Sequence, residues 1–106
     1  MSSLKLESEY KDLDKYNING WIEYYKKGTK IWHNPYGPAC IGTGVYSSYK
    51  AYFIDGECHR LNGPAKVWPD GYEEYWINDK QLTKKQFEIH PERLKFLGKE
   101  HLICLT

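Results

Sequence analysis

The sequence carries no excess of either charge. Fifteen basic residues stand against 14 acidic ones, for a formal net charge of +1. Phosphate binding needs a clear surplus of Lys and Arg on one face, so the composition argues against a nucleic-acid partner. It argues equally against an acidic disordered tail. Long apolar runs are also missing. A bilayer-spanning helix needs about 20 consecutive apolar residues, so no membrane partner is expected. The opening MSSLKLESEYKDLDK has no apolar core of the kind a secretory leader carries. Cysteine is scarce and odd in number: Cys40, Cys58 and Cys104. The expected setting is therefore a reducing cytoplasm with free thiols, and a Cys40–Cys58 disulfide has no positive support.

Aromatic residues are plentiful. They make up 16% of the 106 residues, with ten Tyr and four Trp. Such residues favour strands, and they suit binding faces because each joins an apolar body to a polar tip. The length fits one domain.

The chain repeats itself. Tyr16-Asn17-Ile18-Asn19-Gly20 recurs as Tyr52-Phe53-Ile54-Asp55-Gly56 and as Tyr75-Trp76-Ile77-Asn78-Asp79. In each copy an apolar strand end runs into a dipeptide that tolerates the positive φ of a tight hairpin. A second repeat overlies the first. His33 leads to Gly37-Pro38-Ala39, and His59 leads to Gly63-Pro64-Ala65, 26 positions later. Repeats of this length indicate stacked supersecondary units.

Each unit reads as a β-hairpin. Trp21–Tyr25 is followed by Lys26-Lys27-Gly28 and then Thr29–Trp32. Ala65–Trp68 is followed by Pro69-Asp70-Gly71 and then Tyr72–Ile77, where Asp70 and Gly71 suit the turn. Between them lies a looser hairpin, Ala39–Tyr46 and Tyr49–Ile54, with Gly42, Gly44 and a Ser47-Ser48 turn. After Lys80 the period changes. Thr83 with Gln86 forms a capping box, Phe87, Leu94 and Leu97 are set to face the sheet, and Pro91 predicts a break near His90. Gly98 is expected to stop the helix, with His101–Thr106 as an edge strand or a tucked tail. The expected organisation is a polar arm or a short first element over residues 1–15, a hairpin sheet over 16–82, and a helix and tail over 83–106.

Chemistry finds little footing. His33 and His59 occupy one repeat position, which points to a structural role in their own turns. His33 and Cys40 lie seven positions apart and Cys58 and His59 are adjacent. Neither spacing suits two ligands of one tetrahedral zinc. Adjacent strand residues also point to opposite faces, which opposes a Cys58–His59 nucleophile pair. No carboxylate pair and no phosphate loop is set out by the spacing. No catalytic residue, metal or cofactor is expected, and the chain is not expected to be an enzyme.

The run of an aromatic-Ile-Asp-Gly turn, Cys58-His59-Arg60-Leu61-Asn62-Gly63-Pro64-Ala65, Lys66-Val67-Trp68-Pro69-Asp70-Gly71 and Glu74-Tyr75-Trp76-Ile77-Asn78 resembles the MORN-like "GPA" repeats. These are strings of β-hairpins found in small bacteriophage, giant-virus and bacterial proteins. The match is fullest over residues 52–82. Over 16–51 the Gly-Pro-Ala persists, but Gly42-Thr43-Gly44-Val45-Tyr46-Ser47-Ser48 replaces the turn. The resemblance implies a mainly β fold, an antiparallel meander of hairpins in a single twisted sheet, and family members often close with a short helix. It does not imply an enzyme, and fold analogy by itself assigns no site.

Alternation places Glu73, Tyr75 and Ile77 on one face and Glu74 and Trp76 on the other. Trp21, Glu23 and Tyr25 likewise oppose Ile22 and Tyr24. Exposed Tyr and Trp are favoured interface anchors. The expected function is a protein-binding module, aimed at a host protein if virus-encoded, or at a second copy as a homodimer. Its candidate binding residues are Trp21, Tyr24, Trp32, Tyr46, Arg60, Trp68, Tyr72, Tyr75 and Trp76. Gly37, Pro38, Gly63, Pro64, Asp70 and Gly71 are the structural turns. The alternatives are an enzyme of unrecognised type or a small-ligand binder. The binder would stack a nucleotide-like ring between aromatics and neutralise its charge with residues such as Lys26, Lys30, Lys50 or Arg60.

Overall fold

A computed structural model describes residues 12–105, and the side chains of residues 12–98. Seven strands form one antiparallel sheet in the order β1-β2-β3-β4-β7-β8-β9. They are β1 (Leu13–Ile18), β2 (Trp21–Lys26), β3 (Cys40–Gly42), β4 (Lys50–Ala51), β7 (Lys66–Val67), β8 (Glu73–Ile77) and β9 (Lys80–Leu82). Strands β5 (Phe53–Ile54) and β6 (Glu57–Cys58) make a separate hairpin between β4 and β7. Two helices follow, α1 (Lys84–Glu88) and α2 (Pro91–Leu105). The antiparallel meander that the resemblance implies is therefore present.

The three Tyr-x-Ile repeats become one local structure. Asn19 and Gly20 have φ of 48° and 87°, Asp55 and Gly56 of 52° and 80°, and Asn78 and Asp79 of 50° and 66°. Positive φ at both central residues defines the type I′ turn, whose twist matches that of the flanking strands. The third copy has Asp where the others have Gly. Its carboxylate is used, since the Cys58 N–H donates to Asp79 Oδ1 at 3.1 Å.

The Gly-Pro-Ala units also repeat bond for bond. The N–H of His33 donates to the Tyr24 carbonyl at 3.1 Å, and that of His59 to the Tyr52 carbonyl at 3.1 Å. Tyr24 N–H donates to the Ala39 carbonyl and Tyr52 N–H to the Ala65 carbonyl, both at 2.8 Å. Ala39 and Ala65 are fully buried. Together with Cys40, Ala51, Phe53 and Cys58 they form the core, against which Tyr49, Tyr52 and Trp76 pack.

Other expectations meet corrections. The first strand begins at Leu13, which is buried, so the sheet starts inside the stretch assigned to a polar arm. The rest of that arm, residues 1–11, lies outside the described residues. Thr29–Trp32 does not form a full strand against β2. It makes only the bridge Tyr25↔Trp32, while β2 pairs with β1 and β3. The middle hairpin closes through a 3-10 turn at Gly44–Tyr46. That turn folds back so closely that a Cβ on Gly42 would fall 2.1 Å from the Tyr46 carbonyl oxygen, so glycine is required there.

The Pro-Asp-Gly turn forms as expected: Gly71 N–H donates to the Trp68 carbonyl and Tyr72 N–H donates to Asp70 Oδ1, both at 2.9 Å. The capping box is complete, with Thr83 and Gln86 each accepting from the other's backbone N–H. The helix breaks at Ile89 and His90, before Pro91. Gly98 does not stop the second helix, which continues to Leu105 and takes in most of the tail expected as an edge strand or a tucked segment. An internal helical glycine costs about 1 kcal/mol relative to alanine, which is not enough by itself to end a helix. Phe87 is buried against the sheet, but Leu94 is half exposed.

Candidate functional site

Register decides which side chains share a face. Directly opposed residues lie on the same side of a sheet. Glu23 opposes Tyr16 and Cys40, Cys40 opposes Ala51, Ala51 opposes Lys66, and Lys66 opposes Glu74. This single rung crosses six strands on one face. By alternation the same face carries Trp21 and Tyr25 on β2, and Trp76 on β8. The opposite face carries Tyr24 and Tyr75, and Tyr75 packs on Phe87 of α1 with ring centroids 4.7 Å apart.

A second rung on the first face is aromatic. Tyr46 stacks on Trp21 at 4.8 Å, Trp21 meets Tyr49 edge-on at 5.2 Å, Tyr49 meets Trp68 at 5.5 Å, and Trp68 meets Tyr72 at 5.1 Å. Five rings thus run in contact across the sheet. Tyr46 reaches Trp21 because Gly42 leaves its place empty. The two ends of the row, Tyr46 and Tyr72, are 46% and 55% exposed.

The charged rung lies beside it. Glu23 accepts from the Tyr25 hydroxyl and, at 3.3 Å, from Trp32 Nε1. Glu74 mirrors it, accepting from Trp76 Nε1 at 2.9 Å and from the Tyr72 hydroxyl at 3.3 Å. Lys66 stands between them, with Nζ 4.9 Å from the Trp76 ring centroid. The hydrogen bond to Glu23 pushes the Tyr25 phenol up, and the charge of Glu74 does the same to Tyr72. Burial pushes Tyr49 up. A cleft of about 330 Å³ opens among Trp21, Glu23, Trp32, Tyr49, Phe53 and Lys66. Within it the Glu23 carboxylate accepts from Trp32 Nε1 and so fixes that ring's orientation.

Of the residues expected to bind, Trp21, Tyr46, Trp68 and Tyr72 are brought into the row. Trp32 and Trp76 flank it, each tied to a carboxylate. Tyr24 and Tyr75 lie on the reverse face, and Arg60 stacks over Tyr52 at 4.0 Å, away from the row. Tyr49, Glu23, Lys66 and Glu74 belong to the face and were not singled out from sequence. Counting alternate positions from Ala51 back to Tyr49 would have found the central ring. Of the candidate cations, Lys26 is paired with Asp55 at 2.6 Å, which lowers the Asp55 pKa, and Lys30 sits 4.3 Å over Tyr16.

The paired histidines are structural, but not within their own turns. His33 Nδ1 accepts from the Asp55 N–H at 2.9 Å, and His59 Nδ1 accepts from the Asn78 N–H at 3.0 Å. Each imidazole therefore ties its loop to the I′ turn of the following hairpin. Within the loops, that part falls to the next residue: Asn34 Nδ2 donates to the Pro38 carbonyl at 3.0 Å, and an Arg60 N–H donates to the Pro64 carbonyl at 3.1 Å.

Cys40 and Cys58 are buried free thiols, and burial pushes each up to about 12. A thiol held protonated through the neutral range is a poor nucleophile. The Cys104 side chain lies outside the described ones. Among the described residues, no group of three or more His, Cys, Asp or Glu is placed to hold a metal ion. No described helix is long and apolar enough to cross a membrane. Comparison with family models, with curated proteins and with solved structures finds no match for the chain.

Proposed function

We propose that this chain is a non-catalytic protein-binding module of MORN-like hairpin repeats, and that it docks through the aromatic face. The observation that carries the reading is the five-ring row from Tyr46 to Tyr72. Contacting Tyr and Trp rings with exposed ends supply large, rigid contact area at little entropic cost. The flanking carboxylates Glu23 and Glu74 hold Trp32 and Trp76 in set orientations, so the face is preorganised for a partner. The partner is a protein, either a second copy or a host protein. The family resemblance extends the proposal to a small phage-type protein acting in a host cytoplasm.

The test is size-exclusion chromatography with light scattering, on the pure protein and after incubation with lysate. A dimer or a specific co-eluting protein is the expected result. Tyr46→Ala and Tyr72→Ala, at the exposed ends of the row, should abolish it without loss of fold. Trp76→Ala is a poorer probe, because Trp76 packs against the core. A monomer that captures nothing, or a complex indifferent to both tyrosine variants, overturns the reading.

A further inference from the structure

A crevice of about 610 Å³ lies between the two Gly-Pro-Ala loops. It shares no lining residue with the cleft on the aromatic face: Phe53 lines that cleft, while Tyr52 and Ile54 line the crevice. The crevice is therefore independent of the docking role proposed above. Three rings reach it, Tyr36 from the first loop, Tyr52 from the floor, and Phe96 from α2. Its one formal charge is Arg60, and no Asp or Glu lines it.

The repeat supplies an internal control for that arginine. In the first unit the equivalent position is Asn34, which holds the loop by donating to the Pro38 carbonyl. Arg60 donates to the Pro64 carbonyl in the same way. A neutral amide is thus sufficient for the turn, and the charge and remaining N–H groups of Arg60 exceed what the fold needs. Among the described residues Arg60 has no ion pair. Its guanidinium carbon sits 4.0 Å from the Tyr52 ring centroid, a cation–π contact that fixes where the fork lies. The neighbouring His59 also lines the crevice. Because its Nδ1 accepts from Asn78, the neutral imidazole carries its proton on Nε2 and has a second donor to offer. Asp55 and Glu57 border His59 from an adjoining hollow that shares Ile54 and His59 with the crevice.

We infer that this crevice binds a small ligand that joins a planar ring to an anionic group, phosphate or carboxylate. The anion meets the free N–H groups of Arg60, a charge-assisted contact that a guanidinium makes in a fixed geometry. The ring lies against Tyr36 and Phe96. The volume falls in the range of small-molecule sites.

Isothermal titration calorimetry with adenosine 5′-monophosphate and with phenylacetate tests this, and separates phosphate from carboxylate. Adenosine and inorganic phosphate serve as probes of ring alone and anion alone. Saturable binding of one stoichiometric equivalent of either ring-bearing anion is expected, tighter than for adenosine or phosphate. Arg60→Asn keeps the turn by the first unit's own means, and should weaken binding about tenfold or more. Phe96→Ala changes a half-exposed helix residue, and should weaken it at least about fivefold. Absence of saturable binding by both ring-bearing anions overturns the inference, as does adenosine binding as tightly as its monophosphate. Unchanged affinity in a folded Arg60→Asn variant does the same. If that variant does not fold, unchanged affinity in Phe96→Ala decides against it.

Discussion

The first and second Gly-Pro-Ala loops share most of their hydrogen bonds, yet they cap the loop proline with different side chains. Both use His Nδ1 to reach the next hairpin, both bury an alanine completely, and both cap the carbonyl of the loop proline. They differ in what surrounds those bonds. Asn34 is 3% exposed and is spent on its loop, with Oδ1 accepting from Tyr36 and Nδ2 donating to Pro38. Arg60 is half-buried and borders open space. A backbone acceptor requires only a donor at the right distance. Anything a side chain carries beyond that donor is free to serve another purpose, and a repeat protein acquires distinct surfaces at equivalent positions in this way.

The Tyr-x-Ile copies show the same divergence in burial. Ile18 is 48% exposed on β1, whereas Ile77 on β8 is 2% exposed beneath the helical end. Ile77→Ala should therefore cost about 2–5 kcal/mol, and Ile18→Ala no more than about 0.5 kcal/mol. Chemical denaturation of the two variants measures the difference. Similar losses would mean that the copies are energetically alike despite their surroundings.

Leucine at Ala39 or Ala65 should overpack the core by about 1–3 kcal/mol at each site. The melting temperature should fall equally for the two. Unequal losses would show that one loop can move away and the other cannot.

Alanine at His33 or His59 leaves an exposed backbone N–H without its acceptor, which should cost about 0.5–1.5 kcal/mol per site. Amide exchange at Asp55 and Asn78 reads the loss locally. Each substitution should quicken only the amide that its own imidazole holds.

Exchanging the loop donors gives a smaller and asymmetric effect. Arg60→Asn should change stability by no more than about 0.5 kcal/mol. Asn34→Arg, at a buried position, should destabilise clearly. Equal tolerance would remove the distinction between the two loops.

The core thiols act only in alkali. Burial raises Cys40 and Cys58 to about 12 in the folded chain, against the usual thiol value of about 8.5. The unfolded chain thus loses these protons first as pH rises. The stability they permit is intact below the unfolded value and is lost as pH climbs toward 12. Thermal melts from about pH 8 to about pH 11, a span that brackets the unfolded thiol value of about 8.5, should fall more steeply for this protein than for a Cys40→Ala, Cys58→Ala variant.

Much of the fold is legible in the chain because it rests on local conformational cost. Asn19-Gly20, Asp55-Gly56 and Asn78-Asp79 are residues that accept positive φ, and Asp70-Gly71 closes its turn for a related reason. Thr83 and Gln86 satisfy orphan amides within four residues, and Pro91 can only begin a helix. The aromatic face was half legible. Alternation sorts each strand into two sets, but nothing local says which set of one strand meets which set of the next. Tyr24 and Tyr75 therefore read as equals of Trp21 and Trp76 until the register places them on the reverse side. Gly98 misled because a lone helical glycine costs only about 1 kcal/mol and does not by itself end a helix.

The sequence by itself determined the turns and the period at which they recur, since each depends on the φ preferences and hydrogen-bonding groups of a few neighbouring residues. Only the tertiary structure decided that Tyr46 folds onto Trp21 over Gly42, that each histidine serves the following hairpin, and that Arg60 borders a crevice free of acidic residues. Those features depend on strand register and on contacts between residues about 20 or more positions apart, which a local pattern cannot encode.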